Sequence, residues 1–163
     1  MKALFAVSVL AATCVATPAV AQDLGIEVGT TAPAVSVQAL DGKTVSLANY
    51  FGKQPVLIEF WATWCPNCRE LMPALLDAEK KYGSKVKFMA IAVAINQSPE
   101  KVRRWLAAHP LPHDTYYDVD GKAAGAFDAP ATSYVVVLDK SGRVVYTGLG
   151  GKQDLEAALR KAL

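Results

Sequence analysis

The stretch PVLIEFWATWCPNC, residues 55–68, constrains this chain more than any other. Its first part, 55–62, is a short apolar run rich in strand formers, and it reads as a buried central strand. Cys65 and Cys68 follow that run. Beyond them Leu71, Leu75 and Ala78 fall at helical spacing, which predicts a helix from about Pro66 to Tyr82. Pro73 lies inside that stretch and should kink it. A strand-to-helix junction therefore carries two thiols, and the pair reads as a redox couple, half of a metal site, or two buried thiols.

The compartment bears on that choice. The chain opens with Lys2, an apolar run and then Ala19-Val20-Ala21, the three parts of an export signal. Cleavage is expected between Ala21 and Gln22, leaving one domain over 22–163 in the periplasm or otherwise outside the cytoplasm. The apolar run is short for a membrane span, and Thr13, Thr17 and Pro18 interrupt it. Cys14 follows Thr13 where lipoprotein sites favour Gly or Ala, so it is expected to leave with the signal. Cys65 and Cys68 then remain as the only cysteines.

Exported cysteines usually form bridges. A structural bridge gains most by closing a long loop, and this pair encloses only Pro66 and Asn67. A short exposed bridge is better suited to being opened and closed. A zinc site needs four ligands, and the further candidates, His109 and His113, lie far along the sequence. A length of 163 residues fits one domain, and 52% hydrophobic residues supply its core. A net charge of +2 is too weak to point to nucleic acid or an anionic membrane as partner.

The remaining elements follow from pattern. Residues 22–33 read as an irregular lead-in. Alternating residues on both sides of Asp41-Gly42 predict a hairpin. KVKFMAIAV, 85–93, is a second strand of the central set. Ser98-Pro99-Glu100 supplies a cap, a first-turn proline and an early acid for a helix to about His109. Residues 110–121 read as a polar connection. YVVVLD (134–139) and RVVYTG (143–148) flank Ser141-Gly142 as a second hairpin, and a last helix covers about 152–162. Alternating β and α with a terminal hairpin implies an α/β fold with a mixed central sheet flanked by helices.

At the helix start, unpaired backbone N–H groups and a partial positive charge favour a thiolate on Cys65. Cys65 is thus expected to be the exposed, acidic thiol. Cys68, one turn on, can close onto it as the buried resolving thiol. Pro66 suits the first helical position, and Asn67 adds no charge.

FWATWCPNC, with Pro73 five residues beyond Cys68, resembles the thioredoxin superfamily. The leading hairpin, export signal and inserted helix near 99–109 resemble its TlpA/ResA-like branch of exported thiol–disulfide oxidoreductases. The similarity covers about residues 30–163. It implies a thioredoxin-like sheet of four or five strands, Cys65 as attacking thiol, Cys68 as resolving thiol, and Trp64 shielding the pair and forming part of the contact surface. It also implies no cofactor beyond the Cys65–Cys68 disulfide, partners with protein thiols or disulfides, and a membrane thiol donor. Reduction of apocytochrome or metallochaperone cysteines, as in cytochrome c maturation, is the role the family suggests. A monomer is expected.

Glu59 stands in the middle of the apolar strand, and buried acids are rare without a reason. Desolvation would raise its pKa toward the working pH. Thioredoxins resemble one another in carrying a buried Asp six residues before the first cysteine, where it shuttles a proton for the resolving thiol. Leu71 stands where many ResA-like proteins place a Glu, so Glu59 is expected to take that role. The bland alternative is an acid at a strand edge, exposed or paired with a lysine.

The family also carries a cis-proline facing the thiols. Pro130 is the obvious candidate, but spacing from Phe127 and to Gly142 places Ser133 there without a gap. A cis bond before a non-proline costs roughly 2.5–4 kcal/mol, so a trans bond is expected, with the Ser133 hydroxyl facing the thiols. The rival to an enzyme is a binding module holding copper on Cys65 and Cys68, since Cu(I) suits thiolates.

Overall fold

The computed structural model describes residues 25–163, so the expected signal at 1–21, with Cys14, lies outside the described residues. The described strands are β1 (Ser36–Ala39), β2 (Thr44–Ser46), β3 (Val56–Trp61), β4 (Lys87–Val93), β5 (Asp114–Asp118), β6 (Tyr134–Leu138) and β7 (Val144–Leu149). The helices are α1 (Pro66–Tyr82), α2 (Pro99–Ala108), α3 (Lys122–Ala126) and α4 (Leu155–Arg160). All strands join one sheet in the order β2-β1-β5-β4-β3-β6-β7.

β3 lies between a parallel partner, β4, and an antiparallel one, β6. All six of its residues are buried, which explains why its sequence is a continuous apolar run rather than an alternation. Leu57 packs with Leu71 and Leu75 of α1 and Leu155 and Leu159 of α4. Ile58 and Phe60 pack on the opposite core with Met89, Ile91 and Val102 of α2. This two-sided burial fixes β3 as an interior strand, and its C-terminal end, where functional residues of open α/β sheets collect, leads straight into Cys65.

Both expected hairpins form. β1 and β2 pair across the Asp41-Gly42 turn, and β6 and β7 pair with a register shift at Val137/Leu138. α2 begins as its sequence predicts, with Ser98 Oγ accepting from Lys101 N at 3.3 Å. α1 runs as one helix through Pro73.

Three expectations change. The stretch 110–121 is not only a connection, because β5 occupies its middle. Its residues DTYYD look polar between Pro110, Pro112 and Gly121, yet Tyr116 and Tyr117 are buried. β5 pairs parallel with β4 and antiparallel with β1, so it fuses the N-terminal hairpin to the central strands. The sheet therefore has seven strands instead of the four or five that the family resemblance implies. The short helix α3 was also not foreseen. It is anchored by Asp118, whose carboxylate accepts from Ala123 N at 3.0 Å and Ala124 N at 2.8 Å.

Candidate active site

Cys65 is the N-cap residue of α1, with extended backbone geometry and Pro66 at the start of the helix. Its Sγ accepts the N–H of Cys68 at 3.1 Å. That contact is the orphan-donor geometry of a helix start, and it favours negative charge on the sulfur once the disulfide is reduced. The two sulfurs are bonded as a disulfide, with Cα atoms 5.3 Å apart. Exposure does not separate the thiols as expected: Cys65 is 2% and Cys68 3% exposed. In the disulfide each sulfur covers the other, so the difference between them rests on position. Cys65 caps the helix, whereas Cys68 joins the inward stripe of Leu71, Leu75 and Ala78.

Glu59 is 5% exposed, so the edge-strand alternative does not apply. Its cross-strand neighbours are Ala90 and Val135, and neither carries charge. Strand alternation places it on the face of Leu57, beneath α1, the helix that carries Cys68. Its Oε1 has no hydrogen-bond partner. Burial pushes its pKa from 4.5 up to about 8. A carboxyl held there exchanges a proton near neutral pH, as a general base or acid must.

Trp64 is 39% exposed and its indole Nε1 donates to Ile95 O at 2.8 Å. Its ring borders a groove of about 520 Å³, shared with Ile95, Val119, Ala124, Pro130 and Thr132. Ile95 and Val119 are themselves exposed. The redox turn thus opens beside an apolar surface. Asn67 is exposed and adds no charge there.

All peptide bonds among the described residues are trans, including those before Pro130 and Ser133. Ser133 is fully buried at φ 64, directly before β6, and its N–H donates to Phe60 O at 2.8 Å. Its carbonyl accepts from Gly150 N and from Gln153 Nε2. The hydroxyl expected to face the thiols donates instead to Gly150 O at 3.1 Å. The loop before β6 is thereby tied to the loop after β7, while Pro130 lies in the wall of the groove.

Gln97 went unremarked in the sequence. Its Oε1 accepts from Thr63 N at 2.9 Å, and its Nε2 donates to Val93 O at 2.6 Å. No local pattern could reveal a bond that spans 34 positions. The histidines lie elsewhere: His113 Nδ1 meets Glu79 Oε2 at 2.6 Å, and His109 stacks on Trp105. Among the described residues no group of three or more His, Cys, Asp and Glu side chains converges to hold a metal ion.

Comparison with known proteins agrees with this geometry. The Redoxin family model matches residues 27–163, and the chain belongs to that family. It is 33% identical over 143 residues to the thioredoxin-like protein YneN of Bacillus subtilis, covering 85% of this chain and 82% of that one. It is 29% identical over 138 residues to the thiol-disulfide oxidoreductase ResA of Bacillus cereus, covering 83% and 79%. The thioredoxin domain of a thiol-disulfide oxidoreductase from Bacteroides vulgatus superposes with a TM-score of 0.72 at 20% identity, over 85% of this chain and 99% of that one. The fold is thioredoxin-like, and the chain is a thiol–disulfide oxidoreductase acting on protein thiols or disulfides.

Proposed function

We propose that Cys65 and Cys68 are the redox couple of an exported, periplasmic reductant and that Glu59 serves as its proton carrier. The Cys65 thiolate attacks one sulfur of a partner disulfide, and the other partner sulfur leaves as a thiolate and takes up a proton. Cys68 then gives its proton to the Glu59 carboxylate and attacks Cys65 Sγ. The bond to the partner breaks, the released sulfur takes up a proton from solvent while Glu59 returns one to solvent, the partner leaves as a dithiol, and the chain holds the Cys65–Cys68 disulfide. Two electrons have moved from chain to partner. A membrane thiol donor restores the dithiol, and no other cofactor takes part.

The observation that carries this reading is the Cys65 sulfur held on the Cys68 N–H at the helix start. The export pattern of residues 1–21 supports the location, and the similarity to a thiol-disulfide oxidoreductase supports the redox role, which we extend to reduction of apocytochrome or metallochaperone cysteines. For the copper reading, no His, Asp or Glu side chain among the described residues joins Cys65 and Cys68 in a group of three.

Two measurements test the proposal. Cys68→Ser should trap a mixed disulfide with a partner protein through Cys65, whereas Cys65→Ser should trap none. Equilibration of the couple with glutathione should give a potential below the glutathione value. Trapping through Cys68 would reverse the roles of the cysteines, and a potential well above glutathione would make the chain an oxidant.

A further inference from the structure

The turn that delivers Cys65 is held by a second loop. Cys65 N donates to Ala62 O at 3.1 Å, which closes the turn on itself. The two residues inside it are both bound by the segment after β4. Thr63 gives its N–H to the Gln97 side chain, and Trp64 gives its indole N–H to Ile95 O. The Gln97 amide can sit only one way, because each partner is a backbone group with a single role: Thr63 N–H donates and Val93 C=O accepts.

The loop is a firm base for such a strut. The Tyr117 phenol of β5 donates to Gln97 O at 2.7 Å. Asn96 takes a left-handed turn, φ 54, a conformation that Asn tolerates. Ser98 next caps α2. Gln97 thus joins the redox turn to β4, and through Tyr117 to β5, from a position that is only partly buried. Cys65 has a separate anchor, since α1 fixes its sulfur through the Cys68 N–H.

We propose that Gln97 is a positioning residue for partner docking: its side chain locks the Ala62–Thr63 peptide, directly before Trp64, to the 94–98 loop and so holds Trp64 and Ile95 together at the mouth of the apolar groove. The proposal rests on the oxidoreductase reading and adds a specificity element to it. Loss of the strut leaves Trp64 held only by its indole bond to Ile95 O and so loosens it, without moving the sulfur. It therefore weakens reaction with a protein disulfide, which must dock, and spares a small disulfide, which need not. Loss of one such hydrogen-bonded support is worth about tenfold in an equilibrium.

The test compares wild type, Q97A and Q97E in the full mature chain. Amide exchange at Thr63 and the Trp64 indole resonance, assigned with W64F, report the strut directly. In Q97A the Thr63 amide should lose protection and the indole signal should shift. With insulin as substrate, KM should rise about tenfold with little change in kcat, while the rate with hydroxyethyl disulfide stays within about twofold. Q97E keeps an acceptor for Thr63 N–H but sets its second oxygen against Val93 O, so it should recover only part of the protection and of the insulin KM. Unchanged Thr63 exchange in Q97A overturns the proposal. So does an equal loss with insulin and the small disulfide, which would mark a merely structural residue. A wild type inactive on both substrates would defeat the oxidoreductase reading, while the exchange and indole signals would still decide the role of Gln97.

Discussion

The middle of β3 and the end of β5 each bury a carboxylate, and they treat it in opposite ways. Asp118, 2% exposed, receives two backbone N–H groups and thereby begins α3. Glu59, 5% exposed, lies between Ala90 and Val135 with an oxygen that no group satisfies. Burial alone does not mark a functional acid. A buried carboxylate with its acceptors filled is a structural joint, whereas one left empty favours its protonated form and becomes a proton store.

The largest effect that separates the two is the pH dependence of stability. Glu59 titrates at about 8 in the folded chain against an ordinary 4.5. Between those values the folded state keeps a proton that the unfolded state releases, so stability falls as pH rises. The contribution is complete below about pH 4.5 and is lost through about pH 8, on the order of 5 kcal/mol in all. Denaturant melts across that window should show the slope in wild type, and Glu59→Gln should abolish it. A slope that survives in Glu59→Gln would assign it to another group.

Asp118→Ala should act through structure instead. It strands the amides of Ala123 and Ala124 and should cost on the order of 3 kcal/mol at neutral pH, while the wild-type pH slope persists. An effect on thiol exchange beyond this loss of folded population would erase the contrast with Glu59.

A smaller effect concerns Ser133, a third buried polar group, which spends its hydroxyl on Gly150 O while sitting at φ 64. Ser133→Ala should cost about 1 kcal/mol, since it loses the bond and keeps the backbone penalty. Ser133→Gly loses the same bond but favours that φ, so it should recover most of the cost. Equal losses in thermal melts of the two variants would show that the φ carries no penalty.

Much of this contrast was legible in the sequence, and the reasons differ by residue. Val56–Trp61 announced a central strand because both of its faces are covered, and an acid within such a run stands out. Cys65 and Pro66 mark a helix start by local chemistry alone. β5 stayed hidden because its tyrosines look polar and its neighbours, β4 and β1, are distant in sequence. Asp118 lies within the same stretch, which reads as a polar connection for the same reason. Gln97 is a polar loop residue whose partner, Thr63, is supplied only by the fold. The spacing that singled out Ser133 located a residue directly before β6, but rotamer choice turned its hydroxyl toward Gly150, and spacing cannot report a rotamer.

The central claim is that Glu59 carries the proton for the second thiol, and the rate of mixed-disulfide resolution tests it most directly. A mixed disulfide between Cys65 and a small thiol can be preformed and its collapse followed in stopped flow from pH 6 to 10. In wild type the rate should rise with an inflection near 8, as the Glu59 carboxylate becomes available. Glu59→Gln should be slower by about a hundredfold at neutral pH and should lack that inflection. Identical profiles in the two proteins would contradict the account and leave Glu59 as a buried acid without a part in the chemistry.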